Sequence, residues 1–387
     1  VSFNFQRKQK GAKIIMEKLK VLSLFSGIGA FEKALEREKI PHEVVAYCEI
    51  DKYASKSYST IHNIPESLNL GDISKVDTSA IPECDLVTYG FPCQDISIAG
   101  LQKGIKAGET RSGLLYEALR IIEAKKPKYA IAENVKNLVG KRFKDDFEQL
   151  LALLDDMGYN SYWQVLNAKD YGIPQNRERV FVISIRKDID NGTFTFPEKF
   201  PLNLRLKDML ENEVEEKFYL SQKMIDYVFA TGTKNFYYKP EIDLEVARPL
   251  TASMTKMHRA STDNYVSENF VKNGIKYDIP QVQQIGNCRP TKTRKNPNQG
   301  RIYDVQGLSP CLNCMTGGNR EPHIVMKQPD NLRIRKLTPK ECWRLMGFDD
   351  NDIEQCMNIG ISNTQLYKQA GNSIVVNVLQ CIFRQLF

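Results

Sequence analysis

No run of apolar residues in this chain approaches the roughly 18 that a membrane-spanning helix needs, so a membrane protein is not expected. Residues 1–18 carry basic side chains around one short apolar patch, Ile14-Ile15-Met16, too short for the core of a secretion signal. They read as a flexible extension, with Met16 as a natural start and 1–15 lying upstream of it. Histidine is scarce, at 4 residues, and the 9 cysteines are odd in number and scattered, so neither a disulfide framework nor a metal site is expected. Cys311 and Cys314 form a C-x-x-C, but no second pair or spaced histidines complete it. Free thiols suit a reducing cytoplasm, and a cytoplasmic protein is expected. No internal repeat or low-complexity segment is present. Acid is missing locally: residues 284–301 hold Arg289, Lys292, Arg294, Lys295 and Arg301 without one Asp or Glu. That stretch suits a polyanionic partner, with a solvated basic loop as its ordinary alternative.

What is present is an ordinary globular balance, 42% hydrophobic and 26% charged, with no broad disorder expected. A length of 387 residues allows two domains, or one large domain carrying an inserted module. Residues 20–25 read as a buried strand, Ser26-Gly27-Ile28-Gly29 as a tight turn, and 30–38 as a helix. A strand at 43–47 ends in Cys48-Glu49-Ile50-Asp51, and a third strand is expected to end at Gly71-Asp72-Ile73. Strand 85–88, helix 113–124, strand 129–133, helix 143–157 and strand 180–185 continue the alternation. The pattern predicts an α/β fold, a doubly wound and mostly parallel sheet with acids and glycines at strand ends. After Arg186 this rhythm stops, and a smaller irregular domain is expected over 187–325, following a first domain at 19–186. Helical periodicity returns at 338–346, capped by Thr338 with Pro339 in the first turn. A glycine-asparagine turn at Gly371-Asn372 and an apolar helix over 374–387 end a segment, 326–387, that is expected to complete the first domain.

Phe25-Ser26-Gly27-Ile28-Gly29 between a strand and a helix lets the backbone approach a ligand. Glu49, about 20 residues on, ends the next strand, where a carboxylate can accept both hydroxyls of a ribose. The third glycine of a dinucleotide fingerprint is missing, since Ala30, Phe31 and Glu32 follow Gly29. A cofactor without a pyrophosphate therefore fits better, and a dehydrogenase is disfavoured. Asp72 adds an acceptor for an exocyclic amine. Cys93, in Phe91-Pro92-Cys93-Gln94, follows a strand directly and is presented in a turn; an inert buried thiol is the ordinary alternative.

The motifs Phe25 to Gly29, Glu49, Asp72, Pro92-Cys93-Gln94, Glu133-Asn134-Val135, Gln175-Asn176-Arg177-Glu178-Arg179 and Gln369-Ala370-Gly371-Asn372-Ser373 share one order and spacing. In that order the chain resembles the cytosine-5 DNA methyltransferases of bacterial and phage type, from about residue 19 to the end except for the irregular middle. The resemblance implies a sheet of the S-adenosylmethionine-dependent methyltransferase type and a smaller DNA-recognition domain. It also implies a methyl group carried from S-adenosyl-L-methionine to carbon 5 of a cytosine flipped out of double-stranded DNA. Cys93 would add to carbon 6, Glu133 would protonate ring nitrogen N3, and Arg177 would hold the base carbonyl and lower the thiol pKa. Arg179 and Gln175 would support the loop.

For the cofactor, the resemblance implies Phe25 stacked on adenine, Gly27, Ile28 and Gly29 at the turn, and Glu49 with Ile50 at the ribose. Asp72 and Ile73 would reach adenine, Pro92 and Leu115 would line the site, and Asn372 with Ser373 would close it. Ser97 and the glycine-rich loop 98–111 resemble a lid over an extruded base. Gln94, Ser97, Arg248, Arg289, Arg294, Arg301 and Arg320 are the expected DNA contacts. A monomer is implied; a cognate restriction endonuclease is compatible but not required. An RNA methyltransferase of the same fold is a second reading, weakened by the long middle segment and the missing Cys-Phe-Thr tripeptide. A silent DNA-binding regulator is a third, weakened by the presence together of Phe25, Cys93, Glu133 and Arg177.

Overall fold

The computed structural model describes residues 17–92, 111–229, 232–233, 236–237, 239–256, 258–277, 284–287, 301–303 and 333–387. Packing divides the chain into two compact units. One runs to Leu204 and adds Pro249–Thr255 and Cys342–Phe387; the other comprises Arg205–Arg248 and Lys256–Glu341.

The first unit is built on strands β1 (Leu19–Leu24), β2 (His42–Cys48), β3 (Leu86–Tyr89), β4 (Tyr129–Val135), β5 (Tyr159–Asn167) and β6 (Glu178–Arg186). They lie side by side in the order β2-β1-β3-β4-β6-β5. β1 pairs parallel with β2 and β3, and β3 parallel with β4, whereas β6 runs antiparallel to both β4 and β5. The α/β, mostly parallel sheet expected from the sequence is therefore present. Its central strands are apolar along their length because helices cover both faces: Val21, Leu22, Leu86 and Val87 are fully buried. Between the strands come α1 (Ala30–Arg37), α2 (Lys52–His62), α3 (Leu115–Lys125) and α4 (Lys144–Asp156). Asp51 starts α2 by accepting from the amides of Tyr53 and Ala54 at 2.9 and 3.2 Å, satisfying N–H groups that a helix leaves unpaired.

Two local readings are corrected here. Asp72 does not end a third strand; it caps a short 3-10 turn, Ile73–Lys75, and the stretch before it touches the sheet only through a bridge of Tyr47 to Asn69. β5 has no counterpart in the sequence reading, because its polar Asn160, Ser161 and Gln164 interrupt the apolar run. It is an edge strand held only by β6, with Trp163 46% exposed, so one-sided burial suffices.

The second unit contains α5 (Gln222–Val228), short strands β7 (Gly232–Thr233), β8 (Phe236–Tyr237) and β9 (Tyr265–Ser267), α6 (Glu268–Asn273), β10 (Gln284–Asn287), β11 (Arg301–Tyr303) and β12 (Ile334–Lys336). Ile225, Val228, Phe229, Ile242, Ala260, Tyr265 and Ile334 form its own small core. Arg335 and Glu341, both essentially unexposed, form a two-pronged ion pair at 2.7 and 2.9 Å. The Thr338 amide adds a third bond to that carboxylate, so the buried charges are fully engaged.

The chain then forms α7 (Pro339–Arg344), α8 (Asp350–Asn358), α9 (Asn363–Asn372) and α10 (Val376–Leu386). Gly371 and Asn372, expected as a turn, are instead the last residues of α9. α10 lays a buried face of Val378, Leu379, Ile382 and Phe383 on the first unit, with Phe383 against Phe31 of α1. The boundaries drawn from sequence texture, at 186 and 325, and those drawn by packing, at 204 and 341, are not the same. Residues 187–204 pack with the first unit, partly through Tyr171 against Phe200.

Candidate active site

The turn after β1 is made of left-handed backbone. Phe25, Gly27 and Gly29 have φ of 54°, 57° and 77°. This reverses the chain at the sheet edge and turns amide groups inward. The Gly27 amide donates to Glu49 Oε2 at 2.9 Å, and the Asp51 amide to Oε1 at 2.7 Å. Burial pushes the Glu49 carboxyl up from its ordinary value, and these two bonds oppose the rise. Asn69 clamps the same residue by accepting from its amide and donating to its carbonyl. Gly27, Glu49 and Asp51 line a cavity of about 310 Å³ with Phe25, Ile28, Ile50, Asp72, Ile73, Pro92, Asn372 and Ser373.

At the other end of the cavity the sheet contributes an acid and a base. Glu133, on β4, has a side chain only 12% exposed, and Arg179 Nε stands 3.0 Å from its Oε1. β4 and β6 are in register there, which brings Arg179 opposite Val135 and Phe181 opposite Glu133. Burial pushes the Glu133 pKa up, opposed first by Arg179 and then by Arg177. Asn134, buried beside it, donates to the Phe91 carbonyl at 3.0 Å and accepts from the Val135 amide at 2.8 Å. It thereby pins the segment that leads from β3 to Pro92.

Arg177 is spent differently from the expectation that it holds a base. It is 3% exposed, and its guanidinium donates to the carbonyls of Leu250, Gly371 and Ser373 at 2.9, 3.0 and 2.8 Å. Gln175 is equally structural, donating to the Leu345 carbonyl and accepting from the Leu250 amide. Together they fasten the segment Pro249–Thr255 and the end of α9 beneath the cavity. Gly371 is needed at this junction: a β-carbon there would stand 2.2 Å from the Thr251 carbonyl carbon and 2.3 Å from the Ala252 amide nitrogen. Gly371→Ala is therefore expected to cost about 1–3 kcal/mol of stability, read as a lower denaturation midpoint with an unchanged slope.

Several predicted residues sit elsewhere. Gly29 caps α1 and packs against α2, with His62 Nε2 2.1 Å from where its β-carbon would be, so it serves helix packing and is not on the cavity wall. Leu115 is buried in the core at the start of α3, and its neighbour Leu114 takes the wall position. A 3-10 turn, Arg111–Leu114, leads into α3 and ends on that wall residue. Arg248, expected on DNA, folds its guanidinium back onto Glu241 and the Asp263 carbonyl. Asp72 is on the wall, but its Oδ1 already accepts from the amide and hydroxyl of Ser74, which lowers its pKa. Cys93, Gln94, Ser97, Arg289, Arg294 and Arg320 lie outside the described residues, as does most of the 98–111 loop; Arg301 begins β11.

The charged and polar wall residues Asp51, Lys368 and Gln369 have no role in the sequence reading. Asp51 stands two positions after Glu49 and Gln369 opens the motif that ends at Ser373, so proximity to named residues is the one signal the chain offers for them. Lys368 pairs with Asp51. Gln369 is 6% exposed, donates from Nε2 to the Tyr53 carbonyl and Ser57 Oγ, and leaves its buried Oε1 without a hydrogen-bond partner. Two carboxylates, Glu49 and Asp72, and the Phe25 ring on the cavity wall fit a nucleoside, whose hydroxyls and amine are donors. Among the described residues no group of three or more His, Cys, Asp or Glu could hold a metal, and no helix is long and apolar enough to cross a membrane.

A doubly wound sheet with one reversed strand, a glycine turn facing an acid across a nucleoside-sized cavity, and an acid–arginine pair at the far wall define a methyltransferase-type α/β protein. The model of the C-5 cytosine-specific DNA methylases matches residues 19–387, and the chain belongs to that family of DNA methyltransferases. The orphan methyltransferase M.SPBetaI of Bacillus phage SPbeta is 34% identical, over 96% of this chain and 98% of its own. The type II methyltransferase M.HhaI of Haemophilus parahaemolyticus is also 34% identical, over 94% of this chain and 93% of its own. Among solved structures, the Entamoeba histolytica methyltransferase EhMeth superposes with a TM-score of 0.64 at 19% identity, over 96% of this chain and 98% of that one.

Proposed function

We propose that the protein transfers a methyl group from S-adenosyl-L-methionine to carbon 5 of a cytosine extruded from double-stranded DNA, through a covalent adduct with Cys93. The observation that carries this reading is the buried Glu133–Arg179 pair on a cavity wall that also holds Pro92, the residue before Cys93. When bound, the cofactor supplies an electrophilic methyl on a sulfonium. Phe25, Ile50 and Ile73 would enclose its adenine, Glu49 its ribose, and Asn372 with Ser373 its amino-acid end.

The chain's own groups do the rest. The Cys93 thiolate forms a bond to carbon 6, and the electron pair of the 5,6 double bond is pushed toward the ring. Glu133, whose pKa burial raises, delivers a proton to N3, so that carbon 5 becomes nucleophilic. After methyl transfer, a base takes the proton from carbon 5, the carbon–sulfur bond breaks to restore the 5,6 double bond and the thiolate, and N3 returns its proton to Glu133. Arg179, beside Glu133, is the arginine assigned here to the base carbonyl; Arg177 holds the floor of the site. The second unit and the basic stretch at 284–301 would select the DNA sequence, with the enzyme acting as a monomer and independently of any restriction endonuclease.

The test is transfer of a radiolabelled methyl group to duplex DNA, followed by bisulfite sequencing of the product. Label at carbon 5 of one cytosine in a fixed sequence context is expected; label on adenine or on RNA alone would sink the reading. Glu49→Ala is expected to weaken binding of S-adenosylhomocysteine by about 10-fold or more, the scale of losing hydrogen bonds to a charged group. Calorimetry measures that loss, and a gel-shift assay on duplex DNA should show little change.

A further inference from the structure

With the cavity assigned to a nucleoside cofactor, on which this inference rests, we propose that Lys368 is a positioning residue for that cofactor: by neutralising Asp51 it keeps Glu49 a carboxylate able to accept the ribose hydroxyls. All three side chains line the cavity, Glu49 and Asp51 from the link between β2 and α2, Lys368 from α9. Asp51 acts on Glu49 in two opposed ways. Its amide donates to Glu49 Oε1 at 2.7 Å, which favours the ionised carboxyl, while its own carboxylate, two positions along the chain, repels that charge. The Asp51 carboxylate has a separate duty, since its Oδ1 caps α2 at the Tyr53 and Ala54 amides. Lys368 Nζ pairs with the other oxygen, Oδ2, and so offsets the repulsion while leaving the cap intact.

The next residue sets where Lys368 stands. Gln369 Nε2 donates to the Tyr53 carbonyl and Ser57 Oγ, both at 3.0 Å, which fixes that turn of α9 against α2. Among the described residues the cavity wall holds two other cations, Arg177 and Arg179, and both are engaged at the far end, Arg177 with three carbonyls and Arg179 with Glu133. The remaining charges around Glu49 have partners or face away. Asp72 is bound by Ser74 and lies 3.5 Å from Lys75, Glu66 is exposed, and Lys52 and Lys56 of α2 turn to the Tyr53 ring and the Ile359 carbonyl. The Cys48 thiol beside Glu49 stays protonated, burial pushing its pKa up to about 12, and Tyr47 is bonded to Ser55. Lys368 is thus the cation at the sugar end of the cavity.

A carboxylate accepts both hydroxyls and a protonated carboxyl does so less well, so binding is full above the Glu49 pKa and is lost as the pH falls through it. Burial already raises that value. In Lys368→Met the Asp51 charge is uncompensated, so the Glu49 midpoint should move to higher pH. Below that midpoint S-adenosylhomocysteine should bind about two- to fivefold more weakly than to the wild-type chain, the scale of a half-exposed ion pair, with affinity unchanged at alkaline pH. Lys368→Arg should behave as wild type. Asp51→Asn, which keeps a capping side chain, should move the midpoint to lower pH, and the double variant should lie between the two single ones. Two measurements decide: NMR titration of the Glu49 carboxyl in the ligand-free chain, assigned by its loss in Glu49→Gln, and calorimetric affinity for S-adenosylhomocysteine across pH. Equal weakening at every pH with an unmoved Glu49 midpoint would mean that Lys368 only latches α9 to α2, and would overturn the role. Should Lys368→Met not fold, Asp51→Asn decides, and a Glu49 midpoint that does not fall refutes the coupling. A wild-type chain that binds no S-adenosylhomocysteine at any pH sinks the cofactor assignment and this role with it, a result distinct from an unmoved midpoint.

Discussion

Cys93→Ala is expected to lower methyl transfer by at least ~10³-fold while duplex DNA is still bound, because in the proposed mechanism the thiolate is the route to an activated carbon 5. Among the described residues, the thiol on the cavity wall is not suited to take its place. Cys48 reaches the cavity wall, but burial, with Glu49 and Asp72 nearby, pushes its pKa up to about 12, and burial likewise puts Cys84 at about 12. At neutral pH both remain protonated and poorly nucleophilic. The same chemistry gives a positive signature. With 5-fluorocytosine at the target, carbon 5 carries fluorine in place of the proton that must leave, so the carbon–sulfur bond cannot be released after methylation. Wild-type enzyme with cofactor is expected to form an adduct that survives denaturing electrophoresis, and Cys93→Ala to form none. An adduct persisting in the variant would assign the nucleophile elsewhere.

Glu133→Gln is expected to reduce turnover by roughly 10²–10⁴-fold, the range of general acid catalysis, with cofactor affinity little changed. The pH dependence gives the sharper test. Burial raises the Glu133 pKa above that of an ordinary carboxylate, so the proton it donates is present at every pH below that raised value. It is lost as the pH climbs through the value, and the rate should fall on that limb. The amide introduced by Glu133→Gln cannot titrate, so the residual rate of that variant should not show the limb. Arg179→Ala should move the limb to higher pH, since the guanidinium at 3.0 Å favours the ionised carboxylate. A limb that stays in place in both variants would remove Glu133 from the role of acid.

Much of this is legible in the order of residues. The apolar runs at β1, β3, β4 and β6 mark strands buried on both faces, and the helices between them have the spacing of one apolar side. The glycine turn and Glu49 announce a ligand because a left-handed backbone and a strand-end acid are local devices. Asp72 misleads because a capping aspartate and a strand-end aspartate look alike in sequence, and only the missing ladder distinguishes them. β5 escapes notice because an edge strand needs apolar residues on one side only.

Order along the chain was thus enough to define the central strands of the sheet, the family and the set of residues from which a site could be assembled, since periodicity and turn conformation are properties of neighbouring residues. Which of two arginines meets Glu133 had to wait for the packed molecule, because Arg177 is claimed by carbonyls 73, 194 and 196 positions away. Packing likewise turned Gly29 and Gly371 into contact residues and left Oε1 of Gln369 without a partner. A hydrogen-bond donor is spent by whatever acceptor the fold brings nearest, and that distance is not written along the chain.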